Sequence, residues 1–350
     1  MATRSAERTR SKLAELTRVL DGKTQLLIVM QDNPDPDSIA AAVALRKLVN
    51  TLTGMPCSIA HGGTVGRAEN RALVRYLNLN LRGIDEIRFD QFDAVAVVDT
   101  QPGVGNNSLP PEIVPDIVLD HHPFRMTTRR SRLNDVRSRY GATATILLEY
   151  LKQAKIMPDM QLATALLYAI RSDTQDLGRQ AIRPDIEAIS ELYPLANKRM
   201  LSEIQRGRVQ REYFTLLSHA LRHAKIFGHA VITRLPDVNI PDMVGEVADL
   251  LLRDDEADWA LCYGLFCQKI LLSVRTSQSD KRAEEVVCSI VSKVGTGGGH
   301  ETIAGGQIPL VGGTKTELRR LEGMIRRRFL NAVGADKRRG RRLVEWQARQ

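Results

Sequence analysis

Short apolar runs alternate with longer helical patterns through the first half of the chain. The runs are LLIVM (26–30), CSIAH (57–61), AVAVVD (94–99) and DIVLD (116–120). Helical patterns cover 38–52, about 69–77, 142–153 and 160–173, after a lead-in helix over 1–22. Apolar runs of this length are typical of strands covered on both faces of a parallel sheet. The alternation predicts right-handed βαβ units, and therefore an α/β fold with a mostly parallel sheet flanked by helices.

A charged helical stretch separates this region from a second, smaller α/β module. Alternating apolar positions predict strands at 229–235, 258–266 and 269–276, and helices at 242–253 and 285–295. The segment GTGGGHETIAGG (295–306) is predicted to be a loop before a last amphipathic helix. The predicted boundaries are an N-terminal helix over 1–22, a first domain over 23–185, a helical linker over 186–222, a second domain over 223–334 and a basic tail over 335–350.

Composition is that of an ordinary globular protein. The 350 residues are 43% apolar and 26% charged, and a chain of this length usually forms more than one core. No run approaches the roughly 18–20 apolar residues that span a bilayer, and no apolar segment directly follows the basic start, so we expect a cytoplasmic protein without membrane contact. Cys57, Cys262, Cys267 and Cys288 form no CxxC pair, which predicts reduced, packed thiols rather than a zinc ribbon. The net charge of +9 favours anionic partners.

Acidic residues and histidines follow the predicted strands. They are Asp35 and Asp37 in NPDPDS, Asp99 in VVDT, Asp120, His121 and His122 in LDHHP, and Asp173 in RSDT. Open parallel sheets bind ligands beyond the carboxyl ends of their strands. Clustered carboxylates repel one another unless cations compensate them, and oxygen ligands with an imidazole suit Mn²⁺ or Mg²⁺. Each aspartate alone could merely cap a helix, but four such segments in sequence predict a site for two cations that catalyses phosphoryl displacement.

These four motifs, in this order, resemble the successive motifs of the DHH phosphoesterase superfamily. GTGGGHETIAGG resembles the glycine-rich signature of the DHH-associated substrate domain, and the resemblance covers residues from about 24 to 330. Motif order, size and linker are most similar to the bacterial bifunctional oligoribonuclease/pAp phosphatase group. Its members degrade nanoRNA and dephosphorylate 3′-phosphoadenosine 5′-phosphate (pAp). The resemblance therefore implies a catalytic, metal-binding first domain and a substrate-binding second domain.

The resemblance also implies a role for each motif residue. Asp35 would bind one ion, Asp37 the other and Asp99 both, and His121 and Asp173 would complete the second site. His122 would act near the scissile phosphate as a polariser or proton donor. Asp120 would orient His121, and the attacking water would have its pKa lowered by both ions.

One position departs from the family pattern. A histidine is common four residues before the first aspartate of the DxD motif, where this chain has Gln31. A glutamine oxygen is a weaker ligand than imidazole for first-row metals, so looser binding at the first site, or a water in its place, is expected.

Several residues are candidates for substrate binding. They are the glycines Gly297, Gly298 and Gly299, together with His300, Arg275, Arg67 and Asn70. Glycines let backbone N–H groups approach a phosphate, and His300 could donate to it or stack on a base. Arg275 could clamp a terminal phosphate or lie on a strand surface, and Asn70 could contact substrate or cap a helix.

The leading hypothesis is two-metal hydrolysis of short RNA or pAp, with Mn²⁺ favoured and Mg²⁺ or Co²⁺ open. Aromatic residues make up only 5% of the chain, which favours short substrates over long single strands. Hydrolysis of linear or cyclic dinucleotides such as pApA or cyclic-di-AMP is the enzymatic alternative. Gln31 leaves open a non-catalytic nucleotide- or RNA-binding protein. The arginines 326–328 and the basic segment 337–342 are either a solvated surface or a surface that recruits RNA. The sequence leaves a homodimer as a possible assembly.

Overall fold

The computed structural model describes residues 2–278, 281–299, 301–336 and 340–344. The chain forms two compact units, residues 1–208 and 209–350, whose boundary falls inside the predicted linker 186–222. Among the described residues, no helix is both long and apolar enough to cross a membrane.

The first unit consists of seven helices and six strands among its described residues. The helices are α1 (Ala2–Leu20), α2 (Pro36–Thr53), α3 (Ala68–Tyr76), α4 (Thr143–Gln153), α5 (Met160–Asp173), α6 (Arg183–Leu195) and α7 (Lys198–Gln205). The strands are β1 (Leu26–Val29), β2 (Cys57–His61), β3 (Arg82–Gly83), β4 (Ala94–Val98), β5 (Ile117–Asp120) and β6 (Leu133–Val136). Short 3₁₀ turns lie at Ile84–Glu86, Phe89–Gln91 and Met126–Arg130.

The six strands form one sheet in the order β3-β2-β1-β4-β5-β6, and every described pair is parallel. Successive residues of a strand point to opposite faces, so Leu26 and Ile28 enter the core beneath the helices while Leu27 and Val29 enter a smaller core on the other face. Strand order reverses between β1 and β4, which opens a crevice at their carboxyl ends. The predicted α/β fold is confirmed. The strands β3 and β6 were not predicted, because one is two residues long and the other is the partly polar segment LNDV.

The second unit has four helices and seven strands among its described residues. The helices are α8 (Arg211–His223), α9 (Met243–Leu251), α10 (Ala283–Val291) and α11 (Lys315–Val333). The strands are β7 (Lys225–Phe227), β8 (Ala230–Arg234), β9 (Trp259–Phe266), β10 (Lys269–Thr276), β11 (Thr296–Gly299), β12 (Ile303–Pro309) and β13 (Arg341–Arg342). They form a mixed sheet in the order β11-β12-β10-β9-β8-β7-β13, in which only β8 and β9 run parallel among the described pairs.

The glycine-rich segment is a pair of strands, so the prediction of a loop over 295–306 is wrong. Strand β11 pairs antiparallel with β12, with Gly297 opposite Gly306. A Cβ added at Gly297 would lie 2.5 Å from Cγ1 of Val287, and one added at Gly306 would lie 2.9 Å from Cγ1 of Val291. Both valines belong to α10. Glycine is therefore required at these two positions because a helix packs directly against the strand pair.

The four cysteines are free thiols, as predicted. Cys262 is buried and Cys57 is half-buried, and burial raises the pKa of Cys57 to about 11. Cys267 and Cys288 are exposed, so the prediction of packed thiols is wrong for these two.

Candidate metal centre

The turn from β1 into α2 positions the first two aspartates. Asp35 caps α2, and its carboxylate accepts a hydrogen bond from the backbone N–H of Ser38 at 2.9 Å. Asp37 lies two residues later, in the first turn of α2, and is buried. Its two oxygens accept backbone hydrogen bonds from Thr143 at 2.6 Å and Ala144 at 2.8 Å. These donors begin α4, so the positive end of a helix faces the Asp37 carboxylate.

Asp99 directly follows β4 and is held in an uncommon backbone conformation. Its φ of 58° is in the left-handed region, which costs a non-glycine residue on the order of 1 kcal/mol. The backbone N–H of Asp99 donates to the carbonyl of Leu119 on β5 at 2.9 Å. Its buried carboxylate accepts a hydrogen bond from the hydroxyl of Thr143 at 2.9 Å. Thr143 thus contacts both Asp37 and Asp99, and fixes the two carboxylates relative to each other.

His121 brings together the motifs that follow β5 and end α5. Its Nε2 lies 3.1 Å from Oδ2 of Asp173 and 3.7 Å from Oδ1 of Asp99. Its Nδ1 lies 3.0 Å from the carbonyl oxygen of Tyr140, so Nδ1 carries the proton and Nε2 has the lone pair in the neutral ring. Two groups of side chains could each hold a cation, and within each group the ligand atoms lie within 4.8 Å of one another. One group is Asp37, His121 and Asp173, and the other is Asp99, His121 and His122.

Asp120 orients His122, and the prediction that it orients His121 is wrong. Oδ1 of Asp120 lies 2.8 Å from Nδ1 of His122 and accepts the backbone N–H of His121, also at 2.8 Å. The ring of His121 is oriented by the Tyr140 carbonyl instead. The two rings are tilted by 59° to each other, and Nδ1 of His121 faces the Tyr140 carbonyl whereas Nδ1 of His122 faces Asp120.

The pKa values of three carboxylates in the site are raised by burial and by mutual repulsion. Burial raises the pKa of Asp37 to about 7, and the charges of Asp173 and Asp35 act in the same direction. Burial, followed by the charges of Asp37 and Asp35, raises the pKa of Asp99 well above its usual value. The pKa of Asp35 is raised by burial and by Asp173.

Contacts between histidines and aspartates shift the pKa values of three other groups in the site. Burial alone would lower the pKa of His121, but the contact with Asp173 and the surrounding negative charge raise it to about 10. Burial opposes ionisation of Asp173 and Asp120, yet His121 lowers the pKa of Asp173 and His122 lowers that of Asp120.

The donor set fits divalent cations. Nε2 of His121 is buried and has no well-aligned hydrogen-bond partner within the described parts of the chain, although it faces three carboxylates. An imidazole lone pair and carboxylate oxygens are ligands for Mn²⁺ and similar ions, and a cation would relieve the repulsion that raises the pKa of Asp37 and Asp99. The acidic and histidine groups of this site can therefore bind metal.

Gln31 follows β1 and contacts a neighbouring loop. Its Oε1 accepts a hydrogen bond from Nδ2 of Asn106 at 3.2 Å. The Asn106 side chain in turn accepts from the hydroxyl of Thr100 at 2.5 Å. One lone pair of the Gln31 oxygen is thus already used, and metal ligation by Gln31 stays a prediction.

Two predicted substrate contacts lie beside α3. Arg67 is the residue before the first turn of α3, and its guanidinium lies 3.9 Å from the carboxylate of Glu69. Asn70 is buried, and its Nδ2 donates to the carbonyl of Pro34 at 3.0 Å. Asn70 therefore supports the backbone immediately before Asp35 and does not cap α3. Contact of either residue with substrate stays a prediction.

The second unit contains the other predicted substrate residues. Arg275 on β10 is 6% exposed, and its guanidinium donates to Asp249, to the Ser273 hydroxyl at 2.6 Å and to the Val274 carbonyl at 3.1 Å. It is thus not an exposed strand arginine, and a phosphate would have to replace Asp249 to be clamped by it. Gly297, Gly298 and Gly299 are exposed on the edge strand β11, and His300 lies outside the described residues. Their contact with substrate stays a prediction.

Three arginines of the basic C-terminal region make contacts with the backbone of neighbouring elements. Arg328 on α11 donates to the carbonyl oxygens of Ile290 at 2.6 Å and Ser292 at 2.9 Å. Arg341 and Arg342 form β13 on the sheet edge, paired with β7. Residues 337–339 and 345–350 of the predicted tail lie outside the described part of the chain.

Three residues of the site were missed in the sequence. Thr143 lies in the apolar helical pattern ATATILLEYLKQ, where nothing distinguishes it from a core threonine. Tyr140 contributes a backbone carbonyl, which leaves no side-chain signature. Gln101 is a buried glutamine that contacts Asp120, and its position two residues after Asp99 is the signal that could have found it.

Comparison with known proteins finds similarity in sequence and in fold. Residues 25–170 match the family described as DHH family, N-terminal domain. An uncharacterized protein of Methanocaldococcus jannaschii is 33% identical over an alignment of 319 residues that covers 89% of this chain. The chain spans 65% of the length of that relative.

Two solved structures resemble the fold. An exopolyphosphatase-related protein from Bacteroides fragilis aligns with a TM-score of 0.70 and 12% identity, over 92% of this chain and 98% of that one. RecJ from Thermus thermophilus, in complex with Mn²⁺, aligns with a TM-score of 0.53 and 14% identity, over 92% of this chain and 55% of that one. At these identities the likeness shows the fold. The match over residues 25–170 contains all of the first three motifs and ends just before Asp173, so the similarity to the DHH family covers less than half of the chain.

Proposed function

We propose that this protein is a phosphoesterase that uses two divalent cations to hydrolyse short oligoribonucleotides and pAp. The observation that carries the proposal is the convergence of Asp37, Asp99 and Asp173 on the buried Nε2 of His121. These residues come from four separate segments of the chain. The match to the DHH family supports the same reading.

The metal ligands would be Asp35, Asp37, Asp99, His121 and Asp173. Bound cations would lower the pKa of the attacking water and neutralise charge on the phosphate. Thr143 holds Asp37 and Asp99 together, and the Tyr140 carbonyl keeps the lone pair of His121 on Nε2.

His122 would act on the leaving group. Because Asp120 contacts Nδ1, Nε2 is the atom through which His122 would donate a proton. The attacking water would give up one proton to solvent and its oxygen would form a bond to phosphorus. The bond from phosphorus to the ester oxygen would break, and that oxygen would take the proton from Nε2. Asp120 fixes the orientation of the His122 ring through its contact with Nδ1.

Mn²⁺ is the proposed metal. Carboxylates with one or two imidazoles suit Mn²⁺ better than Ca²⁺, and thiolates are absent from the site among the described residues. RecJ, whose fold this chain resembles, was solved with Mn²⁺. The net charge of +9 favours an anionic substrate such as RNA.

A substrate panel with added Mn²⁺ tests the proposal. The panel contains pAp, ribonucleotides of two to five residues, pApA, cyclic-di-AMP and inorganic polyphosphate. We expect phosphate from pAp and mononucleotides from the short RNAs. Turnover of only pApA or cyclic-di-AMP would favour the dinucleotide alternative, and turnover of only polyphosphate would contradict the substrate assignment.

Asp99→Asn separates catalysis from binding. It removes a charge from the centre of the site and should abolish turnover, whereas the matched change Asp90→Asn alters an exposed aspartate paired with Arg88 and should not. If the wild-type protein binds these nucleotides but turns over none of them, the protein is a non-catalytic binder.

A further inference from the structure

Gln101 is a buried side chain whose amide uses all of its hydrogen-bonding directions. It is 1% exposed. Its Nε2 donates to Oδ2 of Asp120 at 2.6 Å and to the carbonyl of Pro123 at 3.0 Å. Its Oε1 accepts from the backbone N–H of Arg125 at 2.7 Å and from the hydroxyl of Thr128 at 2.8 Å. An amide with four short contacts cannot rotate without breaking them.

The contact with Asp120 extends to His122. Oδ1 of Asp120 lies 2.8 Å from Nδ1 of His122, and its other oxygen accepts from Gln101. Rotation of the Asp120 carboxylate would disturb both contacts at once. The orientation of the His122 ring is therefore set by a continuous chain of hydrogen bonds that ends at Gln101.

Gln101 also joins two loops at the carboxyl edge of the sheet. Its own backbone carbonyl accepts from Nδ2 of Asn107 at 2.9 Å, which fixes it within the loop after β4. The hydroxyl of Thr127, from the loop after β5, donates to the carbonyl of Pro102 at 2.5 Å. The loop that follows Asp99 and the loop that follows His122 are thus held as one piece.

We propose that Gln101 is a positioning residue for His122, which it holds in register with the metal centre through Asp120 and the loop 123–128. The inference rests on the proposed function, in which His122 donates a proton to the leaving group. It also explains why this position holds an amide. The side facing Asp120 and Pro123 must donate, and the side facing Arg125 and Thr128 must accept.

The isosteric change Gln101→Glu tests the proposal. It places an acceptor against Asp120 and the Pro123 carbonyl, and should lower kcat by about 10- to 100-fold, as loss of supporting contacts does in other metal sites. KM and Mn²⁺ stoichiometry should stay close to wild type at a temperature at which the variant is folded, while Tm should fall because the new carboxylate is buried beside that of Asp120. Gln91→Glu, at an exposed position with the same change of charge, should change none of these.

A charge-swapped pair sharpens the test. In Asp120→Asn with Gln101→Glu, the new amide can donate to the new carboxylate and still accept from His122. The pair should recover part of the kcat lost in the single variants. Wild-type kcat in Gln101→Glu, a parallel loss of bound Mn²⁺, or a double variant no better than the two losses combined would overturn the proposal.

Nuclear magnetic resonance separates this inference from the proposed function. The hydrogen-bonded Nδ1–H of His122 should give a resolved signal in the wild-type protein that Gln101→Glu shifts or loses. Should the wild-type protein hydrolyse nothing, the proposed function fails, but this signal still decides whether Gln101 positions His122. An unchanged signal in Gln101→Glu would overturn the positioning role.

Discussion

The hydroxyl of Thr143 donates to Oδ1 of Asp99 at 2.9 Å, while the backbone N–H of the same residue donates to Asp37 at 2.6 Å. The first residue of α4 therefore spans the two carboxylates on which both proposed metal sites depend. A substitution can remove the hydrogen bond from the Thr143 hydroxyl to Asp99 and keep the hydrogen bond from its backbone N–H to Asp37. A change at Thr143 can therefore test the contacts that hold the metal ligands in place while the ligands themselves stay unchanged.

Thr143→Val should weaken Mn²⁺ binding. The change removes the donor to Asp99 but keeps the shape of the side chain and the backbone bond to Asp37. We expect affinity to fall by about 10- to 100-fold, the usual cost of losing a contact that orients a ligand. Isothermal titration calorimetry measures it, with Thr143→Ser as the control that keeps the hydroxyl. Equal affinity of the valine variant and the wild type would refute the role of Thr143.

Stability of the metal-free protein should fall as pH rises. The pKa of Asp37 is raised by burial to about 7 from 3.8, so its contribution is fully present below about pH 4 and is lost as pH rises through 7. Asp99 is shifted in the same direction. Unfolding in the presence of a chelator at pH 5 and pH 8 measures the slope. Asp37→Asn cannot ionise and should flatten it, and the same slope in both proteins would show that Asp37 is not the cause.

Mn²⁺ should bind with release of protons. His121 must lose its proton to ligate through Nε2, and its pKa is raised to about 10, chiefly by its contact with Asp173 against the opposing effect of burial. Affinity should therefore rise with pH between about 6 and 9. Calorimetry at pH 7 in buffers of different ionisation enthalpy counts the protons. Binding without proton release would show that His121 is not a ligand.

Gln31→His should tighten the first metal site. The imidazole replaces a weaker amide oxygen that already accepts from Asn106. We expect Mn²⁺ to bind about tenfold more tightly to one of two sites, with Gln31→Ala as the control that loses the oxygen. If neither variant changes either affinity, Gln31 lies outside the coordination sphere.

The two glycines at the centre of β11 should respond differently to alanine. Gly297→Ala places a Cβ against Val287 and should destabilise the second unit by about 1–3 kcal/mol. Nothing lies within 4 Å of a Cβ at Gly298, so Gly298→Ala should change stability by less than about 0.5 kcal/mol. Urea unfolding measures both. A higher KM for Gly298→Ala at unchanged stability would support phosphate binding by this strand, and equal destabilisation by both changes would contradict the packing argument.

Much of the fold could be predicted from the sequence because the buried strands of the first unit are uninterrupted apolar runs, as in AVAVVD. The strands β3 and β11 could not, because one is two residues long and the other is mostly glycine. The glycines of β11 are explained by the packing of α10 against this strand. Hydrophobic periodicity describes positions within one element and does not show which helix packs against which strand. The contact between β11 and α10 therefore could not be predicted from the order of apolar and polar residues.

The acidic motifs of the site could be predicted for a related reason. Parallel strands end at the same edge, so residues that follow β1, β4 and β5 must meet there. The supporting contacts could not be predicted, because Tyr140 acts through its backbone carbonyl and Thr143 through the position of a helix end. The predicted partner of Asp120 was wrong because two adjacent histidines are equivalent in a sequence and diverge only in three dimensions.

The central claim is that Asp37, Asp99, Asp173 and His121 enclose cations. Titration of the chelator-treated protein with Mn²⁺, alongside Asp99→Asn and the control Asp90→Asn, tests it most directly. We predict two bound ions per chain in the wild type and in Asp90→Asn, and a loss of both from the high-affinity range in Asp99→Asn. Two ions bound with unchanged affinity in Asp99→Asn, or none bound in the wild type, would contradict the account.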